Sequence, residues 1–167
     1  LARMLADLNK SILANRPIIV MVAGQKKVGK SGLVRLFKKY GLAGIDKNDI
    51  SVAEADRYEQ HTFDNETFRG GKSSGFIKKM ISENKNRFIF VEGLTAPYRF
   101  NRAAEVAKPD IAVIIKADQE IRISRLKPAD RVRLPIEMED FNEEPETLTS
   151  AVPVIIIRNN KSFEELG

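Results

Sequence analysis

The 167-residue chain has no cysteine, no tryptophan and a single histidine, His61. Without cysteine it forms no disulfides, thiolate nucleophiles or cysteine-based zinc sites, and one histidine cannot build a histidine metal cluster. No apolar run approaches the ~20 residues that cross a bilayer, and no secretory signal opens the sequence. We therefore expect a soluble, cytoplasmic protein without a membrane partner, and we expect neither redox nor zinc chemistry.

Acidic charge is in slight deficit, with 23 Asp and Glu against 28 Lys and Arg and a formal net charge of +5 at pH 7. Both signs are interspersed along the chain. This bias is compatible with a polyanionic partner, which is either a phosphorylated small molecule or a nucleic acid. The length and the 43% hydrophobic content suit one domain whose sheet is covered on both faces.

The most informative segment is residues 24–31, GQKKVGKS, which directly follows the apolar run Ile18–Ala23. It fits the phosphate-binding pattern GxxxxGK[ST] in a strand–loop–helix setting, because apolar residues at helical spacing follow from Leu33 onwards. The end glycines let successive backbone N–H groups point inward, Lys30 adds positive charge for the β and γ phosphates, and Ser31 is the expected hydroxyl ligand of Mg²⁺. The predicted cofactor-binding residues are Gly24, Gln25, Lys26, Lys27, Val28, Gly29, Lys30, Ser31 and Gly32.

Apolar segments alternate with helical patterns along the chain. Strands are predicted at residues 18–23, 50–55, 88–91, 110–116 and 154–157, and helices at 30–40, 76–83, 98–107, 119–126 and 162–166. This order is typical of a parallel sheet covered on both faces. We predict a single α/β domain over residues 1–167, a three-layer P-loop NTPase fold with five parallel strands.

Three further regions are set apart by composition. Residues 1–16 carry apolar residues at spacings of three and four and predict an N-terminal amphipathic helix that packs against the domain. The polar, glycine-containing residues 56–75 are interpreted as substrate-binding loops. The basic residues 122–135 have no clear period and predict a lid over the site.

Carboxylates follow three of the predicted strands, at the sheet edge where ligands collect in open α/β folds. Asp56 is either a general base, a second Mg²⁺ contact or a turn cap. Glu92 is either a metal or substrate ligand or a solvated turn carboxylate. Asp118 is expected to cap the helix that starts at Gln119.

Arg122 and Arg125 lie three residues apart and share a helix face. Phosphoryl transfer needs cations over the transferring group, so these two arginines are predicted to act in catalysis; the alternative is a solvated charged helix face. Tyr58 is either a base-stacking, substrate-binding residue or a core aromatic.

The phosphate loop, Asp56, Glu92-Gly93-Leu94 and residues 118–126 occur in an order that resembles the P-loop small-molecule kinases, especially the uridine kinase and related nucleoside and nucleotide kinases. The resemblance covers most of residues 18–166. It implies that Asp56 is the catalytic base, that Arg122 and Arg125 are lid arginines, and that Asp64, in a Phe-Asp pair, binds substrate ribose hydroxyls. It also implies that Asn159, in Arg158-Asn159-Asn160, lies near the adenine of the cofactor.

The expected activity is transfer of the γ-phosphoryl group of ATP, with Mg²⁺, to a nucleoside-like or nucleotide-like small molecule. Two alternatives stay open. Val28 before Gly29 and the segment Ile115-Lys116-Ala117-Asp118 also resemble a GTP-binding switch protein, although the guanine-reading asparagine is missing. The basic charge also permits a nucleic-acid-directed kinase or binding module, which a steep salt dependence of oligonucleotide affinity would support.

Overall fold

A computed structural model describes residues 16–25, 27–41, 45–54, 72–94, 97–126 and 152–161. Its strands are β1 (Ile18–Ala23), β2 (Ile50–Glu54), β3 (Phe88–Leu94), β4 (Ile111–Lys116) and β5 (Val154–Arg158). Its α-helices are α1 (Lys30–Tyr40), α2 (Lys72–Glu83), α3 (Pro97–Ala107) and α4 (Gln119–Ser124), and a short 3-10 helix spans Lys47–Asp49.

The five strands form one parallel sheet in the order β2-β3-β1-β4-β5. β1 is central, and all six of its residues are buried because it carries apolar side chains on both faces. Since a parallel sheet must be covered on both sides, its strands are apolar throughout rather than alternating. The predicted five-stranded α/β sheet is confirmed.

A hydrophobic cluster lies on each face of the sheet. One face packs Met21, Val91 and neighbouring residues against α2 and α3, including Ile77 and Phe100. The other packs Val20, Phe90 and their neighbours against α1. The tilted ring pair Phe37–Phe90, with centroids 5.5 Å apart, joins α1 to β3. Helices therefore cover both faces of the sheet.

The start of β1 is fixed by an ion pair. Arg16 donates from Nη2 to Asp110 Oδ1 at 2.5 Å and from Nη1 to Asp110 Oδ2 at 2.9 Å. The hydrogen bond and charge of Asp110 raise the pKa of Arg16, against the opposing effect of burial. Asp110 Oδ2 also accepts from the Ile19 backbone N–H at 2.9 Å, so this carboxylate links β1 to the residue that precedes β4.

β3 contains a one-residue bulge at the sheet edge where ligands are expected. Met21 pairs with Val91 but Ala23 pairs with Leu94, so residues 92 and 93 of β3 face one residue of β1. Gly93 supplies the positive φ, 86°, that this extra residue requires. Glu92 was expected just after the strand; the structure corrects this, because the bulge lets β3 continue to Leu94.

The remaining boundaries differ from the predictions by a few residues. α2 starts at Lys72 rather than at residue 76, so the last residues of the predicted loop region 56–75 are helical. α4 ends at Ser124, earlier than predicted, and leaves Arg125 at its C-cap. The predicted helix at residues 1–16, apart from Arg16, the predicted helix at 162–166 and most of the predicted lid at 122–135 lie outside the described residues.

Within the described ranges, none of the four α-helices combines the length and the apolar character that crossing a bilayer demands.

Candidate functional site

The candidate site begins at the carboxyl end of β1, where residues 24–31 connect the strand to α1. Gly24 has φ +140°, and a Cβ placed on it would lie 2.2 Å from the Ile115 carbonyl oxygen of β4. Gly29 is the N-cap of α1 in the left-handed conformation, with φ 103°. The two glycines of the motif are thus required by the close approach of β4 and by the turn into α1.

Lys30 is a buried cation at this loop, with 8% of its surface exposed. Its Nζ donates to the carbonyl oxygens of Gly24 at 2.6 Å and Gln25 at 2.9 Å. Both acceptors belong to the loop itself, so the ammonium lies against the segment expected to surround the phosphates. Hydrogen bonds from a cation to phosphate oxygens are stronger than those to neutral carbonyls, which favours exchange when an anion binds. Ser31 is exposed in the first turn of α1.

The middle of the loop is fixed to the core and to the end of β5. Val28 is fully buried in the cluster on the α1 face. Lys27 adopts a positive φ of 64°, a conformation that is unfavourable for a non-glycine residue. Its carbonyl oxygen accepts from Arg125 Nη1 at 3.0 Å, and the carbonyl of Val28 accepts from Asn159 Nδ2 at 2.8 Å.

Arg122 is buried on α4, with 3% of its surface exposed. Its Nη1 donates to Oε1 of Gln25, the second residue of the loop. Burial disfavours the charged form and lowers the pKa of Arg122. Arginine stays protonated in proteins, so this side chain places a permanent positive charge beside the loop.

Arg125 lies at the C-cap of α4 and links the loop to the segment after β5. Besides Lys27, it donates from Nη2 to the carbonyl oxygens of Asn159 at 3.1 Å and Lys161 at 2.8 Å. The planar guanidinium can do this because it carries several donors in a fixed geometry. We name Arg125 and Asn159, with these contacts, the Arg125–Asn159 clasp. The contacts place Arg125 at the side of the loop.

Asn159 follows β5 and is fully buried. Its backbone N–H donates to the Lys116 carbonyl at 2.8 Å and its side-chain amide reaches the loop, so it joins β4, β5 and residues 24–31. The next residue, Asn160, donates from Nδ2 to Asp118 Oδ2 at 2.7 Å and accepts from the Asp118 N–H at 3.0 Å. Asp118 holds the N-cap position of α4 as predicted, but among the described residues its side chain makes no cap hydrogen bond.

Two glutamates pair in register near the carboxyl ends of β2 and β3. Glu92 in β3 is 5% exposed, and it pairs in register with Glu54, the last residue of β2. Side chains of register partners on neighbouring parallel strands lie on the same face, so both glutamates belong to one face of the sheet. Mg²⁺ is usually held by one or two carboxylates together with oxygens of the substrate, and this pair could supply such ligands. The described part of the chain contains no group of three or more potential metal-ligating side chains.

Sequence analysis did not identify Glu54 as a site residue. The signal was present, because Glu54 precedes Asp56 by two residues and strand side chains alternate with period two. Val28 and Asn159 were predicted from the sequence to bind the cofactor. The sequence did not predict that Val28 packs in the core or that the Asn159 side chain donates to the Val28 carbonyl oxygen. Lys26, Asp56, Tyr58 and Asp64 lie outside the described residues, so their predicted roles stay predictions.

No family model matches the chain, and no curated protein matches its sequence. Solved structures do match its fold. A Thermus thermophilus protein superposes with a TM-score of 0.60 at 15% identity, covering 91% of this chain and 93% of that one. A gluconokinase from Sinorhizobium meliloti gives 0.57 at 14% identity, with 90% and 88% covered.

A shikimate kinase from Bacteroides thetaiotaomicron gives a TM-score of 0.55 at 13% identity, covering 87% of this chain and 88% of that one. The chain shares its fold with these two kinases. The P-loop kinase resemblance drawn from the sequence is confirmed at the level of the fold, whereas the matched structures do not single out the uridine kinase group. At such identities the likeness concerns the fold alone.

Proposed function

We propose that the protein is an ATP-dependent phosphotransferase that moves the γ-phosphoryl group of ATP to a hydroxyl or phosphate group of a small molecule. The observation that carries this proposal is the loop of residues 24–31: it leaves the central strand through a glycine that β4 closely approaches, enters α1 through a left-handed glycine, and holds the buried Lys30 cation against it. The shared fold with a gluconokinase and a shikimate kinase supports the same conclusion.

The phosphates are proposed to bind along this loop. Backbone N–H groups at the start of α1 and the Lys30 ammonium supply the positive potential that phosphate oxygens require. Arg122 adds a buried positive charge beside Gln25, and this charge is proposed to stabilise negative charge that develops during transfer.

The magnesium site is proposed at Ser31 and Glu92, with Glu54 as a further contact. The residues fit the ion, because carboxylate and hydroxyl oxygens are hard ligands and the two glutamates pair in register on one face of the sheet. Bound there, Mg²⁺ would neutralise phosphate charge and orient the phosphates. Asp56, two residues beyond Glu54, is proposed as the base that accepts the proton of the acceptor hydroxyl.

The proposed acceptor is a hydroxylated small molecule. The order of sequence motifs favours a nucleoside-like or nucleotide-like acceptor, and Tyr58 and Asp64 are the residues proposed to bind it. The gluconokinase and the shikimate kinase that share the fold extend the panel to sugar acids and related hydroxylated carboxylates. A guanine-reading role for Asp118 is not favoured, because Asn160 already occupies its carboxylate.

The test is ADP production from Mg²⁺-ATP across nucleosides, nucleoside monophosphates, dephospho-coenzyme A, gluconate, shikimate and 5′-hydroxyl oligonucleotides, with Lys30→Ala as the blank. We expect turnover that depends on one acceptor class and is lost in the blank. Asp56→Asn should lower kcat by about 10²-fold or more with that acceptor while leaving ATP affinity unchanged. Tight nucleotide binding without acceptor-stimulated turnover would overturn the phosphotransferase assignment.

A further inference from the structure

The contacts of the Arg125–Asn159 clasp end on two consecutive peptide groups of the phosphate loop. The Lys27 carbonyl oxygen is held by Arg125 and the Val28 carbonyl oxygen by Asn159. The described residues contain no cis peptide bond. In a trans peptide the C=O and N–H groups point in opposite directions. The N–H groups of Val28 and Gly29 therefore point away from the side of the loop where the clasp lies.

The loop conformation held in this way is unfavourable in isolation. Lys27 has φ 64°, and strained backbone of this kind persists only where surrounding contacts determine it. The described contacts at this point are the fully buried Val28 side chain and the two side chains of the clasp. Without the clasp, the Lys27–Val28 and Val28–Gly29 peptides would be freer to rotate, and their N–H groups would lose a fixed direction.

We propose that Arg125 and Asn159 are positioning residues that fix the Lys27–Val28 and Val28–Gly29 peptides, so that the N–H groups of Val28 and Gly29 face the nucleotide phosphates. The proposal rests on the phosphotransferase function given above. It assigns to Arg125 a role different from the catalytic, lid-borne one predicted from the sequence, and to Asn159 a role through the loop rather than through the adenine.

The clasp also joins the phosphate loop to the segment after β5. Arg125 Nη2 donates to the Asn159 carbonyl oxygen at 3.1 Å and to the Asn159 side-chain oxygen Oδ1 at 3.4 Å, so the two side chains are directly linked. Residues in contact within one hydrogen-bond network show non-additive effects when both are changed. Substituting either Arg125 or Asn159 should therefore also weaken the hydrogen bond that the other residue makes to the loop.

The experiment compares binding of Mg²⁺-ATP and of Mg²⁺-tripolyphosphate, a probe with phosphates but no base, by isothermal titration calorimetry. Arg125→Lys keeps the positive charge but removes the planar guanidinium that donates from both Nη atoms. Asn159→Ala removes the side-chain amide that donates to the Val28 carbonyl oxygen. Arg35→Lys, on the exposed side of α1, is the matched control. Thermal unfolding of each variant identifies those that stay folded. If Asn159→Ala does not fold, the binding data for the milder Arg125→Lys decide the outcome.

We expect Arg125→Lys and Asn159→Ala to weaken both ligands by the same factor, about tenfold or more, and the double variant to lose less than the product of the single losses. Arg35→Lys should bind both ligands like the wild type. Weakened ATP with unchanged tripolyphosphate would mean that the clasp contacts the base, and unchanged affinity for both would mean that the loop does not need it. Either result overturns the proposal alone, whereas a wild type that binds neither ligand overturns the proposed function and this inference together.

Discussion

Gly24 has a backbone conformation that a side chain would disrupt. Its φ of +140° is strained for any residue with a side chain. A Cβ atom added to Gly24 would also lie only 2.2 Å from the Ile115 carbonyl oxygen. A backbone oxygen in the central sheet cannot move aside as a flexible side chain would. The glycine is therefore required both for the loop and for the packing of β1 beside β4.

We expect Gly24→Ala to lower the free energy of unfolding by about 3 kcal/mol, because it combines a forbidden φ with a clash against backbone. The matched control is Gly75→Ala in α2, where an added Cβ meets nothing within 4 Å. That substitution should raise the free energy of unfolding by about 0.5–1 kcal/mol, since alanine favours the helix. Urea unfolding of both variants checks the prediction, and equal effects would contradict it.

The sequence predicted the contiguous motif of residues 24–31 but not the long-range contacts that individual side chains make with it. The GxxxxGK[ST] pattern of residues 24–31 could be recognised because its residues are contiguous, and its phosphate-binding role stays a prediction. The contacts of Arg122 with Gln25, and of Arg125 with Lys27, join residues almost a hundred positions apart and depend on how α4 packs beside the loop. Spacing places both arginines on one helix but does not say which partners they meet.

Secondary-structure elements were predicted well where hydrophobic pattern decides them. β1 and α1 have the predicted bounds, because a fully apolar strand and an amphipathic helix both have strong local signals. The end of β3 was wrong, since a bulge at Glu92 and Gly93 follows from pairing with β1 and not from local pattern. The start of α2 was also wrong, because glycine and serine residues at its beginning suggested a loop.

The central and edge strands should differ in sensitivity to the same substitution. Val20 in β1 is fully buried, whereas Val154 in the edge strand β5 is 41% exposed. We expect Val20→Ala to cost about 2–3 kcal/mol of unfolding free energy, from lost burial plus the cavity left behind. Val154→Ala should cost less than about 1 kcal/mol. Chemical denaturation of the pair measures the difference, and a larger cost at Val154 would show that the β5 face is covered in solution.

At the scale of the whole molecule, a bound nucleotide should stabilise the fold. A ligand that binds the folded state alone stabilises it by about 2.7 kcal/mol at a hundred times its dissociation constant. For a chain of this length that free energy corresponds to a rise in Tm of about 5–10 °C. We expect this rise with Mg²⁺-ATP, measured by differential scanning calorimetry.

Lys30→Ala should show a much smaller rise at the same Mg²⁺-ATP concentration, because it removes the buried cation at the phosphate loop. The melting temperature of the variant without nucleotide is the reference, which separates loss of binding from loss of stability. An equal rise in the two proteins would show that the nucleotide binds without Lys30. No rise in either would place nucleotide binding itself in doubt.

The complete burial of β1, between β3 on one side and β4 on the other, has a consequence for how binding is detected. Amide hydrogens in such a strand exchange with deuterated solvent only through unfolding of the whole domain. Their rates therefore report global stability, while the amides of residues 24–31 exchange through local opening. In a deuterium-exchange experiment, slowing confined to that loop identifies ligand contact, and equal slowing along β1 identifies stabilisation of the entire chain.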